Sequence, residues 1–293
     1  MKYLMITSDD YGMDPSVNRA AEACLRAGTA LSVNVMANMP CAGDAAGLKK
    51  LNPLVSVGIH WTLTTGKPVL PPEQVPSLVD PSSGEFLSCR ELRRRDGAGS
   101  WDRREALREL TAQYERYVEL TGFAPDYWNT HENVHVSVSL FSLFRDRALA
   151  LGIRKMRNHD RIVVAPSTRG DRSLRWRLTE PAKRLVLRRW ERQGRRLGLR
   201  FPDGLLLFWQ EADRFHPADF LERIEWGDRD FAELPIHPAI DGECRYFGDI
   251  TQDRVTEYHL WADPGVAVRA REKGITLCNF DRLYPGQGAC DYG

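Results

Sequence analysis

Four places in this sequence carry the carboxylates and imidazoles that hydrolytic or metal chemistry needs. Asp9-Asp10 follow the apolar run Tyr3-Leu4-Met5-Ile6-Thr7, and His60 closes the run that begins at Leu54. His131 and His135 bracket a short polar stretch, and His237 ends Glu233-Leu234-Pro235-Ile236. Asp9, Asp10, His60, His131 and His237 all fall at the carboxyl ends of predicted strands. In parallel α/β barrels those ends form one face, where side chains distant in sequence meet. A carboxylate grouped with imidazoles at one mouth is a divalent-metal site. One aspartate suffices as a ligand; the other then stands beside the activated water as a base. Taken singly, an Asp-Asp pair is commonly a turn or a helix cap, and a lone histidine is commonly structural. The joint placement is what points to chemistry.

His131-Glu132-Asn133-Val134-His135 also fits the H-E-x-x-H pattern of zinc peptidases. That chemistry needs a helix, so that both imidazoles project from one face with the glutamate between them. Upstream, Pro125 and Tyr127-Trp128 favour a strand or turn. Downstream, Val134, Val136 and Val138 alternate at period two, which suits extended chain. No third ligand follows at the spacing such peptidases use. The stretch reads as a strand end with Glu132 incidental, and a zinc peptidase is the rival enzyme class.

The elements that position these residues follow from the pattern around them. Strands are predicted at Tyr3–Thr7, Leu31–Met36, Leu54–His60, Tyr127–His131, Arg154–Arg157, Glu233–His237 and Ile275–Asn279. Helices are predicted from Pro15 to a stop at Gly28, over Cys41–Lys50, over 103–120, over Ser139–Leu151 and through the tail Val255–Gly274. Leu107, Leu110, Tyr114, Tyr117 and Val118 share one face of the 103–120 helix. Strand alternating with helix is the mark of a parallel α/β fold. Residues 66–100 read as a long loop, rich in Pro, Ser, Gly and charge. No repeat and no linker divides the chain, so one domain spanning 1–293 is expected, with insertions at roughly 66–100 and 160–210.

Composition bounds the rest. The 293 residues are 42% hydrophobic and 28% charged, with a net charge of +1, which suits an ordinary soluble protein and favours no particular partner. The apolar start meets two aspartates by residue 9, too early for a signal peptide. No stretch has the length of a membrane span. The six cysteines are scattered with no CxxC pair and read as reduced thiols. A cytoplasmic location is expected.

The stretches TSDDYGMDPSVNRA, VNVMANMP, VGIHWTLTTGKPVLPPEQVPSLVD, THENVH, ELPIHP and EKGITLCNF together resemble the YdjC-type carbohydrate deacetylases. That family includes chitooligosaccharide and hopanoid-pathway deacetylases. The resemblance covers nearly the whole chain and is most specific in the first 80 residues. It implies a distorted TIM-like (β/α) barrel and metal-dependent removal of an N-acetyl group from an amino sugar, with release of acetate. It implies Asp10, His60 and His131 as metal ligands, Asp9 as general base and His237 as general acid. Arg157 is the candidate for orienting Asp9, by analogy with related polysaccharide deacetylases. The family's S-H-x-H-V-H motif departs here, with Thr130 for the serine and Asn133 for the middle histidine. His135 is kept, as a further ligand, a substrate contact or a supporting residue. The usual H-P-G is His237-Pro238-Ala239. Two imidazoles and a carboxylate favour zinc, manganese, cobalt or iron; the family is associated with magnesium as well as zinc. The implied partner is an N-acetylated sugar, with neither nucleic acid nor a membrane span, and family habit implies a homodimer. Asn38 and Trp61 are further candidate substrate contacts, and Trp61, Trp128, Trp209 and Trp261 are candidate platforms for a sugar ring, with core packing the commoner role for most such residues. A non-catalytic carbohydrate-binding relic is the remaining alternative.

The run from Arg172 to Arg200 is heavily basic and reads as helical from about Pro181. Its bland reading is a solvated face backed by a buried stripe of Leu178, Leu185, Trp190 and Leu197. The functional reading is recognition of an anionic group on the substrate, such as a nucleotide-diphosphate or lipid-linked sugar, since arginine pairs well with phosphate. Nucleic-acid binding is a third option that nothing else in the sequence supports.

Overall fold

The computed structural model describes residues 1–162, 174–207, 217–242, 244–247 and 250–283. Its centre is β1 (Lys2–Tyr11), whose Leu4, Met5 and Ile6 are buried on both faces of the sheet. That is why the segment reads as a continuous apolar run rather than an alternating one. One edge of β1 pairs with β6 (Phe231–Ile236). The other edge pairs with β7 (Ile275–Cys278) at Lys2–Met5 and with β2 (Ser32–Val35) from Thr7 onward. Beyond β2 come β3 (Ser56–Trp61) and β4 (Trp128–Thr130), and β5 (Gly204–Leu205) lies outside β6. Every pairing between these strands is parallel, and the sheet curls into an open, distorted barrel with helices packed on it, as the sequence implied.

Local signals set the helix ends. α1 (Pro15–Arg26) opens with proline at its first position while the Asp14 carboxylate accepts the Ser16 N–H. α4 (Arg103–Thr121) is capped by Asp102 and stops at Gly122 in the left-handed region. It lays Leu110 and Tyr117 on β3, where the Tyr117 hydroxyl donates to the Val57 carbonyl. α5 (Val138–Ala150) covers β4 through Phe144, whose ring lies 6.0 Å from Trp61 and 6.3 Å from Trp128.

Several expectations are corrected. Cys41–Lys50 is a 3-10 turn, Ala42–Gly47, running into the single turn α2 (Leu48–Leu51). The supposed loop at 66–100 holds a 3-10 turn at Pro72–Gln74 and the helix α3 (Cys89–Ala98). Ser88 accepts the Glu91 N–H at the start of α3 and Gly99 ends it in the left-handed region, a cap signature that the local density of charge obscured. Leu78, Phe86 and Leu92 tie this segment into the core. Arg154–Arg157 is not a strand: only isolated bridges join Lys155 to Arg200 and Met156 to Trp128. The tail helix is two, α8 (Thr251–Trp261) and α9 (Gly265–Glu272), divided at Pro264, which lacks the N–H that continuation needs.

The basic segment forms α6 (Leu174–Arg196), which begins before Pro181. α7 (Pro217–Glu222) follows the next described stretch. The expected stripe on this segment holds at Trp190 but fails at Leu185, 66% exposed, and Leu197, 45% exposed. The inward residues are Leu187, Trp190, Glu191 and Gly194, with Trp190 stacked on Phe141 at 4.7 Å. The Leu178 side chain, like Trp209, lies outside the described part of the structure. Among the described residues no helix is long and apolar enough to cross a membrane, and the described cysteines form no disulfide.

Candidate metal centre

The carboxyl ends of β1, β3, β4 and β6 deliver their polar residues to one cavity of about 200 Å³. Asp9, Asp10, His60, His131, Arg157 and His237 all line it. The Asp10 carboxylate sits between two imidazoles, with Oδ1 2.9 Å from His131 Nδ1 and 3.2 Å from His60 Nε2. The ligand-capable atoms of Asp10, His60 and His131 lie within 4.8 Å of one another. Lone-pair atoms converging this closely repel unless a proton or a cation lies between them. The donor set, two imidazoles and one carboxylate, fits a divalent transition metal.

The grouped side chains are held from behind. His60 Nδ1 lies 2.5 Å from Asn129 Oδ1, so the ring N–H donates to the amide oxygen and Nε2 is left facing Asp10. The same amide donates through Nδ2 to Asp9 Oδ1 at 3.2 Å, linking the two halves of the site. Asp10 (φ 68°), Glu132 (φ 51°) and Asn133 (φ 50°) are the non-glycine residues with left-handed backbone among those described. All three line the cavity. Such strain, about 1–3 kcal/mol each, collects where surroundings over-determine the geometry.

Asp9 is 1% exposed and heavily bonded. Arg157 reaches it with two parallel contacts, Nη1 to Oδ2 at 2.8 Å and Nη2 to Oδ1 at 2.9 Å. Asn34 Nδ2 adds a 2.6 Å bond to Oδ1. Oδ1 therefore accepts three donors while Oδ2 accepts one, and His237 Nε2 stands 3.7 Å from Oδ2. Arg157 is itself shared, since its Nε donates to Glu233 Oε1 at 2.8 Å.

The titrations follow from burial set against charge. Burial pushes Asp9 up, but the Arg157 guanidinium, with His60 and His237, holds its carboxyl well below the usual range. Asp10 is likewise pushed up by burial and brought well below its ordinary value by His131 and Arg254. Burial lowers His131, yet the Asp10 carboxylate outweighs it and raises the ring's pKa. His237 falls to about 4, chiefly through burial, which Asp10 and Asp9 only partly offset.

Two buried side chains were not read from the sequence. Arg254 and Glu257, from α8, line the cavity. Arg254 Nη2 donates to Asp10 Oδ2 at 2.5 Å, and Glu257 accepts the His237 backbone N–H. Burial raises Glu257 to about 8. Their spacing, Asp253-Arg254 and then Glu257, looks like an ordinary charged helix face, and nothing local marks it as inward.

Other expectations divide. The peptidase geometry fails: His131–Asn133 is a 3-10 turn rather than a long helix, and Glu132 is exposed. His135 does not line the metal cavity. It borders a second one, with Nε2 2.8 Å from His159 Nε2 and Nδ1 2.6 Å from Thr130 Oγ1, and burial lowers it to about 3. Trp61 is no sugar platform: it is fully buried, and its indole N–H donates to the Leu110 carbonyl. Trp128 and Trp261 are likewise fully buried. Asn38 lies outside the cavity lining and ties the 65–67 loop by donating to the Thr65 and Lys67 carbonyls.

An open parallel barrel with a carboxylate and two imidazoles gathered at its carboxyl edge is a frame for hydrolytic chemistry. The chain belongs to the YdjC-like protein family, whose model matches residues 3–272. It is similar to a carbohydrate deacetylase from Geobacillus stearothermophilus, 29% identical over 97% of this chain and 98% of the relative. It is also similar to a chitooligosaccharide deacetylase from Yersinia pestis, 30% identical over 95% of this chain and 98% of the relative. A crystal structure from Enterococcus faecalis, described as a candidate cellobiose-phosphate cleavage protein, shares the fold. Its TM-score is 0.75 at 24% identity, covering 96% of this chain and 98% of that one.

Proposed function

We propose that this chain is a single-domain, metal-dependent hydrolase that removes the N-acetyl group from an acetylated amino sugar and releases acetate. The observation that carries the reading is the meeting of Asp10, His60 and His131 beside an Asp9 clamped by Arg157. The names of relatives matched along their whole length supply the substrate class. Zinc and magnesium are the candidate ions. When bound by Asp10, His60 and His131, such an ion polarises the acetyl carbonyl and makes water more acidic.

The protein's own residues do the rest. Asp9 takes the water proton at Oδ2, the oxygen that carries the fewer donors, while Arg157 and Asn34 hold the carboxylate still. His237, 3.7 Å away and neutral in the resting site, collects that proton and passes it to the sugar nitrogen as the C–N bond breaks. The oxygen of water ends in acetate, and its proton ends on the amine. Arg254 fixes Asp10 through Oδ2 and leaves Oδ1 toward the imidazoles. Glu257 holds the His237 backbone.

The test is acetate release from a panel of N-acetylated sugars, with metal analysis of the same protein. Asp9→Asn should abolish release yet keep its metal. Persisting activity in Asp9→Asn would remove the base assignment, and inactivity of metal-loaded wild type on every acetamido sugar would remove the reading.

A further inference from the structure

We propose that α6 docks this protein on an anionic lipid bilayer surface. The helix is anchored on its inward side. Trp190 stacks on Phe141, Arg188 reaches Asp160 at 3.4 Å, and Gly194 sits so close to Phe201 that a Cβ would lie 2.7 Å from the ring. These contacts fix its rotation. At about 100° per residue, Leu185, Arg189, Arg192 and Arg196 fall within about 60° of one another, directly opposite the inward stripe. All four are exposed.

This face combines two features that rarely share a solvated helix. Arg189, Arg192 and Arg196 are paired to no carboxylate among the described residues. Glu191, the one acid between residues 184 and 200, faces inward and is held by Arg195 at 2.7 Å. Among these arginines stands Leu185, 66% exposed, with Val186 at 41% and Leu197 at 45% on one flank. Singly exposed aliphatic side chains are common on a solvated surface. A leucine 66% exposed among arginines that pair with no described carboxylate instead suits a surface offering negative charge and an apolar layer together, which nucleic acid does not. A phospholipid surface fits both features. Guanidinium groups meet the headgroup phosphates, and short aliphatic side chains enter the acyl boundary of a helix lying flat. The complementarity is with negative charge, so the occupant is a bilayer rich in anionic lipid. The surface stands on contacts independent of the reaction proposed above.

The experiment is sedimentation of the full chain with vesicles of phosphatidylcholine alone or mixed with phosphatidylglycerol, at low salt and at about 0.5 M salt. Binding is expected to the mixed vesicles only and to fall steeply at high salt. The triple variant Arg189→Gln, Arg192→Gln, Arg196→Gln should bind on the order of a hundredfold more weakly, roughly fivefold for each arginine. The corresponding triple Arg→Lys variant should keep most of the binding, and Leu185→Ser should weaken it at unchanged charge. None of these positions touches the metal cavity, so acetate release from a soluble sugar should match wild type and show that the variants fold. Equal sedimentation with neutral and anionic vesicles would overturn the proposal, as would a glutamine triple that binds like wild type. Binding of duplex DNA without binding of vesicles would replace the bilayer with nucleic acid.

Discussion

Replacing Arg157 by methionine tests the centre of the site. The guanidinium is 2% exposed and joins two carboxylates that are buried even more completely, Asp9 at 1% and Glu233 at 0%. It contacts Asp9 at 2.8 and 2.9 Å and Glu233 at 2.8 Å. Methionine keeps much of the apolar stem and removes the charge, so Asp9 and Glu233 both lose the guanidinium that contacts them. Breaking a buried ion pair from one side costs about 3–5 kcal/mol, a large part of the roughly 5–15 kcal/mol that a domain has. Protonation sets the pH dependence. In the wild type the Asp9 pKa is depressed, so its contribution is present above the unfolded value of 3.8 and is lost as pH falls through the lower folded value. Without Arg157, burial raises both acids, and they take up protons as pH falls from neutrality. The deficit of Arg157→Met should therefore be largest near about pH 7 and shrink toward about pH 5. Urea titrations at both pH values measure it. Adding Asp9→Asn and Glu233→Gln to the variant removes the stranded charges and should restore most of the stability while activity stays absent. A deficit below about 1 kcal/mol at neutral pH, or a triple variant no more stable than the single one, would refute the reasoning.

Other outcomes follow from the same geometry. Glu132→Ala should leave acetate release near the wild-type rate, because Glu132 is exposed on a 3-10 turn; a dead variant would give this cavity-lining glutamate a part in the reaction. Gly58→Ala should cost about 1–3 kcal/mol by chemical denaturation, since the new Cβ would sit 2.6 Å from Asn34 Oδ1 and from Tyr127 Cζ. It should also slow turnover, because Asn34 holds Asp9. Zinc at a hundred times its Kd should raise the melting temperature of the metal-free protein by roughly 5 °C. That shift should vanish in His131→Ala, and its persistence there would place the ion elsewhere.

The sequence carried the positions of most strands, though not β5, and the residues that line the cavity at their ends, and it failed where partners come from long-range packing. Asp9, Asp10, His60, His131 and His237 were legible because each closes a short run of apolar or β-branched residues, and parallel strands present their carboxyl ends together. Arg157 came through family likeness, and its segment, expected as a strand, makes only isolated bridges at Lys155 and Met156. Arg254 and Glu257 gave no signal, since what turns them inward is the packing of α8 against the barrel rather than any local spacing. Trp61 misled because tryptophan serves equally as a sugar platform and as a core residue, and its type alone does not separate the two. In an extended strand, however, consecutive side chains point to opposite faces, so Trp61 must turn away from the face that His60 supplies.

That alternation makes it unusual for two carboxylates adjacent in sequence to serve one cavity. In regular extended chain Asp9 and Asp10 would face opposite sides of the sheet, and only one would enter the cavity. Asp10 instead takes φ 68°, and the register between β1 and β2 slips between Ser8 and Tyr11. This irregularity brings both carboxylates to the same side, where different elements then divide them. Arg157, Asn34 and Asn129 claim Asp9, while Arg254, His60 and His131 claim Asp10. Two like charges this close in a buried site would otherwise push one pKa upward. Here each has its own guanidinium, and both carboxyls are held below their ordinary values.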